Sequence, residues 1–245
     1  MTNQKQFVAS AEAKGKAKQL RLFALLAWVI AIGGEVFAIL KLIHDDMLVW
    51  LIVAIVAILG LTVTGSLLWK KANRLDPASE KDKFKFFVQN QLGAIIAVLA
   101  FLPLVIFILS NKEIDGKTKG IAGAIAGVAL LAATIFGIDF NPPSIEKYTE
   151  EINAQTEVVT SLTDTDQVYW ARQGTVNHIY EDCQHIRGRD GVTFGTVKES
   201  FEAKGISTLC KTCENRARKE YDTKHLIDRE DVLETTEETE LETVE

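Results

Sequence analysis

Four apolar runs, at 22–43, 47–69, 92–110 and 120–138, constrain this chain more than any other feature. A hydrocarbon core of about 30 Å needs roughly 20 helical residues, and a helix satisfies its own backbone polar groups without water. Four such runs joined by very short connections therefore predict an α-helical membrane domain over 22–140 rather than buried helices of a soluble globule. The first run is too long for a signal peptide and no small-residue cleavage pattern follows it, so it is expected to stay attached. Charge divides at the same place. Residues 1–140 carry 15 Lys and Arg against 10 Asp and Glu, whereas 141–245 carry 12 against 23. The two halves thus belong in different solvents, which excludes both a single soluble domain and a disulfide-rich secreted scaffold.

Lys and Arg in short flanks orient membrane helices toward the cytoplasm. The N-terminal segment 1–21 has Lys5, Lys14, Lys16, Lys18 and Arg21, and the second connection has Lys70, Lys71, Arg74, Lys81, Lys83 and Lys85, while the first connection, 44–46, has neither residue type. Both termini are therefore expected in the cytoplasm of a multi-pass inner or plasma membrane protein. Glu35 is the one acid well inside a run. It costs about 3 kcal/mol on the insertion scale, while the span's thirteen Leu, Ile, Phe and Val residues return roughly 0.3–0.6 each, so the span still inserts and Glu35 faces the bundle interior. No second carboxylate or His lies at matching depth, and Thr62, Thr64 and Thr134 offer plain hydrogen bonds. Lys41 can snorkel from a span end. Gly123 and Gly127, four apart, read as a close helix approach, Pro103 as a kink, and Phe84, Phe86, Phe87 and Val88 among lysines as an interfacial helix before the third span.

Asn141-Pro142-Pro143-Ser144 ends the membrane domain, and 141–166 reads as a linker. Ile145, Tyr148 and Ile152 recur at helical spacing, which predicts a short amphipathic helix to about Gln155 and a turn at 161–166. At the other end, 223–245 is Glu- and Thr-rich with too few apolar residues for a core, and is expected to be a disordered acidic tail. Between them, 167–222 is expected to form a small α+β module. Val168-Tyr169-Trp170 and 175–180 predict a β-hairpin around Gly174; 196–203 predicts a helix capped by Gly205; Cys210-Lys211-Thr212-Cys213 forms a knuckle.

All three cysteines, Cys183, Cys210 and Cys213, lie in this module, and an odd number cannot be consumed by intrachain disulfides. Zinc takes four tetrahedral ligands, two of which a Cys-x-x-Cys knuckle supplies. Cys183 with a histidine would complete the set. His178 is favoured, because a strand leading into a turn can aim both ends of 178–183 inward; His185 is the alternative. Three cysteines and one histidine leave no open position, so the metal's role is structural rather than catalytic. A thioredoxin-type redox pair fits less well, since that motif belongs to a larger βαβ domain. From Gln167 to Cys213 the module has 47 residues, below the length at which an apolar core usually suffices, and a structural zinc adds an apparent 10–16 kcal/mol.

Val168-Tyr169-Trp170, Val176-Asn177-His178, Cys183, Ile186, Ala203-Lys204-Gly205 and Leu209-Cys210-Lys211-Thr212-Cys213 together resemble small bacterial Cys/His modules similar to the metal-binding element of Ada-type repair proteins. The resemblance covers about 167–215. It implies zinc held by His178, Cys183, Cys210 and Cys213 and carries no activity over; Asn177 stands where such modules have an aromatic residue.

The sequence therefore points to a non-enzymatic membrane protein that displays a cytoplasmic zinc module for macromolecular interaction. Protein is favoured over nucleic acid as the partner, because 164–224 holds ten acids and ten bases rather than a basic excess. The bilayer is the other partner, and a homo-oligomer is compatible with the pattern. The competing reading is a small transporter or channel using Glu35, with the zinc module regulating or assembling it. An enzyme ranks last, for want of a nucleophile with its base, a phosphate-binding glycine loop or an open metal site.

Overall fold

The computed structural model describes residues 6–223, which separate into two compact units, 6–147 and 148–223. The expected acidic tail falls, from residue 224 onward, outside the described residues.

The first unit is built from α1 (Ala11–Lys41), a single 3-10 turn (Asp45–Met47), α2 (Leu48–Leu75), α3 (Lys83–Ser110) and α4 (Gly116–Gly137). All four α-helices are long and apolar enough to cross a membrane. Short polar side chains start three of them. The Ser10 hydroxyl, the Asp82 carboxylate and the Asp115 carboxylate accept from the backbone N–H of Ala13, Lys85 and Thr118 respectively, each satisfying an orphan donor of the first turn.

Packing inverts the usual distribution. On α1 the buried residues from Ala24 onward, Trp28, Ala31, Glu35 and Ala38, alternate in steps of four and three, while Leu22, Phe23, Val29, Ile30 and Phe37 are exposed. Small residues inside and large apolar ones outside are what a hydrocarbon solvent demands, because close backbone approach replaces the hydrophobic drive between helices. Two glycines show how close that approach is. A Cβ on Gly137 would lie 2.5 Å from the Ala94 nitrogen and 2.6 Å from the Gly93 carbonyl carbon, and one on Gly65 would meet the Trp28 indole at 2.5 Å. The expected Gly123/Gly127 pair divides instead: Gly123 faces Leu109, but a side chain at Gly127 would meet nothing within 4 Å. The four-residue spacing identifies a face, and here neighbouring geometry makes Gly137 the tight contact.

One end of the bundle is closed by polar groups. The Arg21 guanidinium donates to the Asp76 carboxylate at 2.9 Å and to its carbonyl at 2.8 Å; buried Asn73 and the Trp69 indole N–H both donate to the Gln89 carbonyl, at 2.8 and 2.7 Å. Lys70 donates to the Ile138 carbonyl at 2.6 Å, satisfying one orphan acceptor at the end of α4. Two expectations for this unit change. The basic residues Lys14 to Arg21 lie on α1, which begins eleven residues before its apolar run. The segment 84–88 is no separate interfacial helix but the first turns of α3, continuous because Asp82 caps the whole element. Pro103 lies inside α3, which is helical on both sides of it.

The second unit takes in most of α5 (Ile145–Thr163), then β1 (Gln167–Ala171), β2 (Val192–Thr196), α6 (Val197–Lys204) and a helix, α7, at 211–223. Helix α5 outruns its expected end at Gln155 by two turns, because Val159 is fully buried and prolongs the apolar stripe; the turn follows at Asp164, with φ 58°. The hairpin expectation is corrected as well. Strand β1 pairs antiparallel with β2, in the register Gln167↔Thr196 to Ala171↔Val192, not with 175–180. The latter stretch contributes only the bridge Tyr169↔His178, because its next residue inward, Asn177, bridges Leu209. Helix α6 has a reciprocal capping box between Thr196 and Glu199 and ends at Gly205, whose φ of 68° an L side chain rarely adopts.

Candidate metal centre

His178, Cys183, Cys210 and Cys213 arrive from three separate stretches, and backbone hydrogen bonds fix each one. Both main-chain polar groups of His178 are bonded to Tyr169, at 2.7 Å each. Its neighbour Asn177 donates to the Thr208 carbonyl and accepts from the Cys210 N–H, both at 2.8 Å, so one dipeptide positions the histidine and the first knuckle cysteine together. Cys183 sits in a turn in which its carbonyl accepts from Ile186 at 2.9 Å and Arg187 at 2.8 Å. Cys210 and Cys213 straddle the start of α7, where the Glu214 N–H donates to the Cys210 carbonyl at 2.9 Å.

All four residues are buried, and one ligand atom from each lies within 4.8 Å of all the others, a group that could hold a metal ion. The spacing fits coordination. Metal–sulfur and metal–nitrogen bonds of about 2.3 and 2.0–2.1 Å at the tetrahedral angle place sulfur and nitrogen about 3.6 Å apart. His178 Nδ1 lies 3.7 Å from Cys213 Sγ. His185 stands apart: it is exposed, its Nε2 is 3.3 Å from the Thr212 hydroxyl, and its ring centroid is 6.4 Å from that of His178.

Burial drives the titration of these groups. It pushes the Cys213 thiol up to about 12, and with the charges of His185 and Arg189 it pushes His178 down, so the imidazole is neutral and has a lone pair to give. Burial also acts upward on Cys210, but hydrogen bonds from the Cys213 and Thr212 backbone and from the Cys183 and Cys213 side chains together outweigh it and favour the thiolate. A bound cation takes ligands as thiolates and neutral imidazole, and the latter is the form that burial favours for this histidine. The three cysteines also complete an apolar cluster with Ala171 and Ile186, so three of the four candidate ligands belong to the local core.

A surface clamp ties the two cysteine edges together. Arg216 on α7 lies over the Tyr180 ring at 4.0 Å, donates to both Asp182 oxygens at 2.9 and 3.0 Å, and donates through Nε to Glu220 at 2.9 Å. The Tyr180 hydroxyl also donates to Glu220, and burial followed by that bond pushes the phenol up to about 12. Sequence reasoning missed this cluster; only the Arg216/Glu220 spacing of four signals it.

In the first unit, Glu35 is 3% exposed with no hydrogen-bond partner for Oε1, and Thr62 Oγ1 is likewise buried without one. Thr134 does not serve Glu35, because its hydroxyl donates to the Leu130 carbonyl at 2.8 Å. Comparison of the chain with protein-family models, curated proteins and solved structures finds no match in any of the three.

Proposed function

We propose that this is a non-enzymatic integral membrane protein that displays a structural zinc module on the cytoplasmic side for binding another protein. The observation that carries this reading is the closed donor set, with His178, Cys183, Cys210 and Cys213 within 4.8 Å of one another and all buried. Soft thiolates with one imidazole select zinc over the hard divalent cations, and four protein ligands leave no position for substrate or activated water. The four apolar helices supply the anchor in the inner or plasma membrane. The positively charged flanks support cytoplasmic termini, a compartment in which thiols stay reduced and available for metal. Ten acids against ten bases across 164–224 favour a protein partner over nucleic acid.

The test is zinc analysis of the purified full chain in detergent, followed by partner capture with and without Cys210→Ser. One zinc per chain, and capture lost in the variant, are expected. A chain that carries no zinc while its 167–222 segment resists protease in chelator would overturn the reading.

A second reading, a small transporter or channel working through Glu35, is favoured by the unpartnered Oε1 inside the bundle. Ion or proton flux in liposomes that Glu35→Gln abolishes would promote it; unchanged or absent flux leaves Glu35 as an internal packing group.

A further inference from the structure

The arginines of the second unit divide into two classes. Arg216 and Arg218 each hold a carboxylate, the latter Glu214 at 2.7 Å. Arg172, Arg187 and Arg189 are exposed and, among the described residues, make no ion pair or side-chain hydrogen bond. These three belong to one loop system. The Arg172 N–H donates to the Gly191 carbonyl at 3.0 Å, and the Arg189 N–H to that of Ile186 at 3.0 Å. The backbone is held at both ends, by the bonded turn at Cys183 and by the Ala171↔Val192 pair. Gly188 and Gly191 take φ of 71° and 75°, values that other residues rarely adopt, and Ile186, 2% exposed, packs with the three cysteines. Within 172–191 the carboxylates are Glu181, Asp182 and Asp190, all exposed, and Asp182 is held by Arg216.

A guanidinium fork matches a carboxylate in two parallel hydrogen bonds, and a fixed backbone lowers the cost of presenting several forks together. The surroundings narrow the occupant. Residues 148–223 hold thirteen acids and nine bases, so the unit lacks the long-range field that gathers a polyphosphate, whereas a tethered carboxylate segment needs no steering. Such a segment is in the chain. Residues 230–245 contain eight Asp and Glu and no Lys, Arg or His. Reach agrees as well. Ten residues of α7 beyond Cys213 rise about 15 Å, and an extended chain at about 3.3 Å per residue covers the return in roughly five to eight residues, which arrives near residue 230.

We propose that Arg172, Arg187 and Arg189 form a carboxylate-binding surface whose occupant is this chain's own acidic end, residues 230–245. The tail then competes in cis with any acidic partner segment for the face beside the metal donors. This goes beyond the zinc reading, and zinc content measured in the same samples separates failure of one from failure of the other.

The experiment is arginine modification by phenylglyoxal, read residue by residue by mass spectrometry on the full chain in detergent. It is compared with a chain ending at Arg229 and with a full-length chain whose eight tail acids are changed to their amides. Tethering at millimolar effective concentration should make even weak pairs populated, so the three arginines should react on the order of threefold to tenfold faster in both variants, with Arg216 and Arg218 unchanged. Salt at 1 M, where the Debye length is about 3 Å, should abolish the difference in the unmodified chain. Equal rates in all three chains overturn the proposal. So do protection that persists with the amide tail, protection at Arg21 or Arg74 instead, or protection lost on dilution, which would assign the contact to a second copy.

Discussion

Removal of the His178 imidazole should dissociate metal binding from the neighbouring histidine's contribution. An apparent 10–16 kcal/mol for a four-ligand structural zinc is about 2.5–4 kcal/mol per ligand, or between about 60-fold and about 700-fold in affinity at 1.4 kcal/mol per decade. His178→Ala should fall in or beyond that range. The side chain is 3% exposed, and the void it leaves also loosens the cluster of Ala171, Cys183, Ile186, Cys210 and Cys213. His185→Ala should change affinity little, because that ring is exposed and, among the described residues, hydrogen-bonds only Gln184 and Thr212. Competition against a chromophoric chelator on the purified full chain measures both. Cobalt substitution reports the donor set, since the absorption of a three-sulfur, one-nitrogen tetrahedral site changes when the imidazole is lost. A His185→Ala chain that releases zinc while His178→Ala retains it would refute the assignment; zinc retained in both would refute a histidine ligand altogether.

Asn177→Leu should stabilise the second unit by about 1–3 kcal/mol, because Asn177 is fully buried with neither Nδ2 nor Oδ1 bonded, and a near-isosteric apolar side chain removes that penalty. Slower chymotrypsin cleavage within 148–223 checks it, and faster cleavage would show that the amide is satisfied. Gly137→Ala should cost about 1–3 kcal/mol of bundle stability, since the new carbon meets backbone at 2.5 Å, while Gly127→Ala, with nothing within 4 Å, should be neutral. Thermal unfolding in detergent compares the two, and equal midpoints would contradict the Gly93/Gly137 contact. For topology, a thiol at Asp45 should react with an impermeant reagent from outside intact cells and one at Ser79 should not; the reverse pattern inverts the orientation.

The apolar helices were readable because their signal is long and needs no partner: each run comes close to or exceeds the hydrocarbon thickness of about 30 Å whatever its neighbours do. Their packing was not. Gly123 and Gly127 satisfy the small-residue spacing as well as any pair, yet only depth and rotation within the bundle decide that Gly137 meets Gly93. The same division holds in the second unit. The capping box at Thr196 and the left-handed Gly205 are local, and the expected helix appeared within a residue of its bounds. The strand partner of β1 is not local. Both 175–180 and 192–196 have β-forming composition, and proximity in sequence favoured the nearer one.

What turns the nearer stretch away from strand pairing is its double obligation at Asn177 and His178. One residue bonds Thr208 and Cys210 while the next bonds Tyr169, so the segment bridges the sheet and the knuckle instead of extending either. A full hairpin would satisfy more backbone on one edge and leave Cys210 without its anchor at the Asn177 carbonyl. The longer excursion from Ala171 to Val192 then gathers Cys183, Ile186 and the unpaired arginines into one loop. On this account the backbone bonds of Asn177 and His178 decide the sheet topology. Chelation in the full chain should therefore raise exchange of the Asn177, His178 and Cys210 amides before those of the β1 and β2 ladder, and simultaneous release of all of them would mean that the sheet and the site form a single cooperative unit.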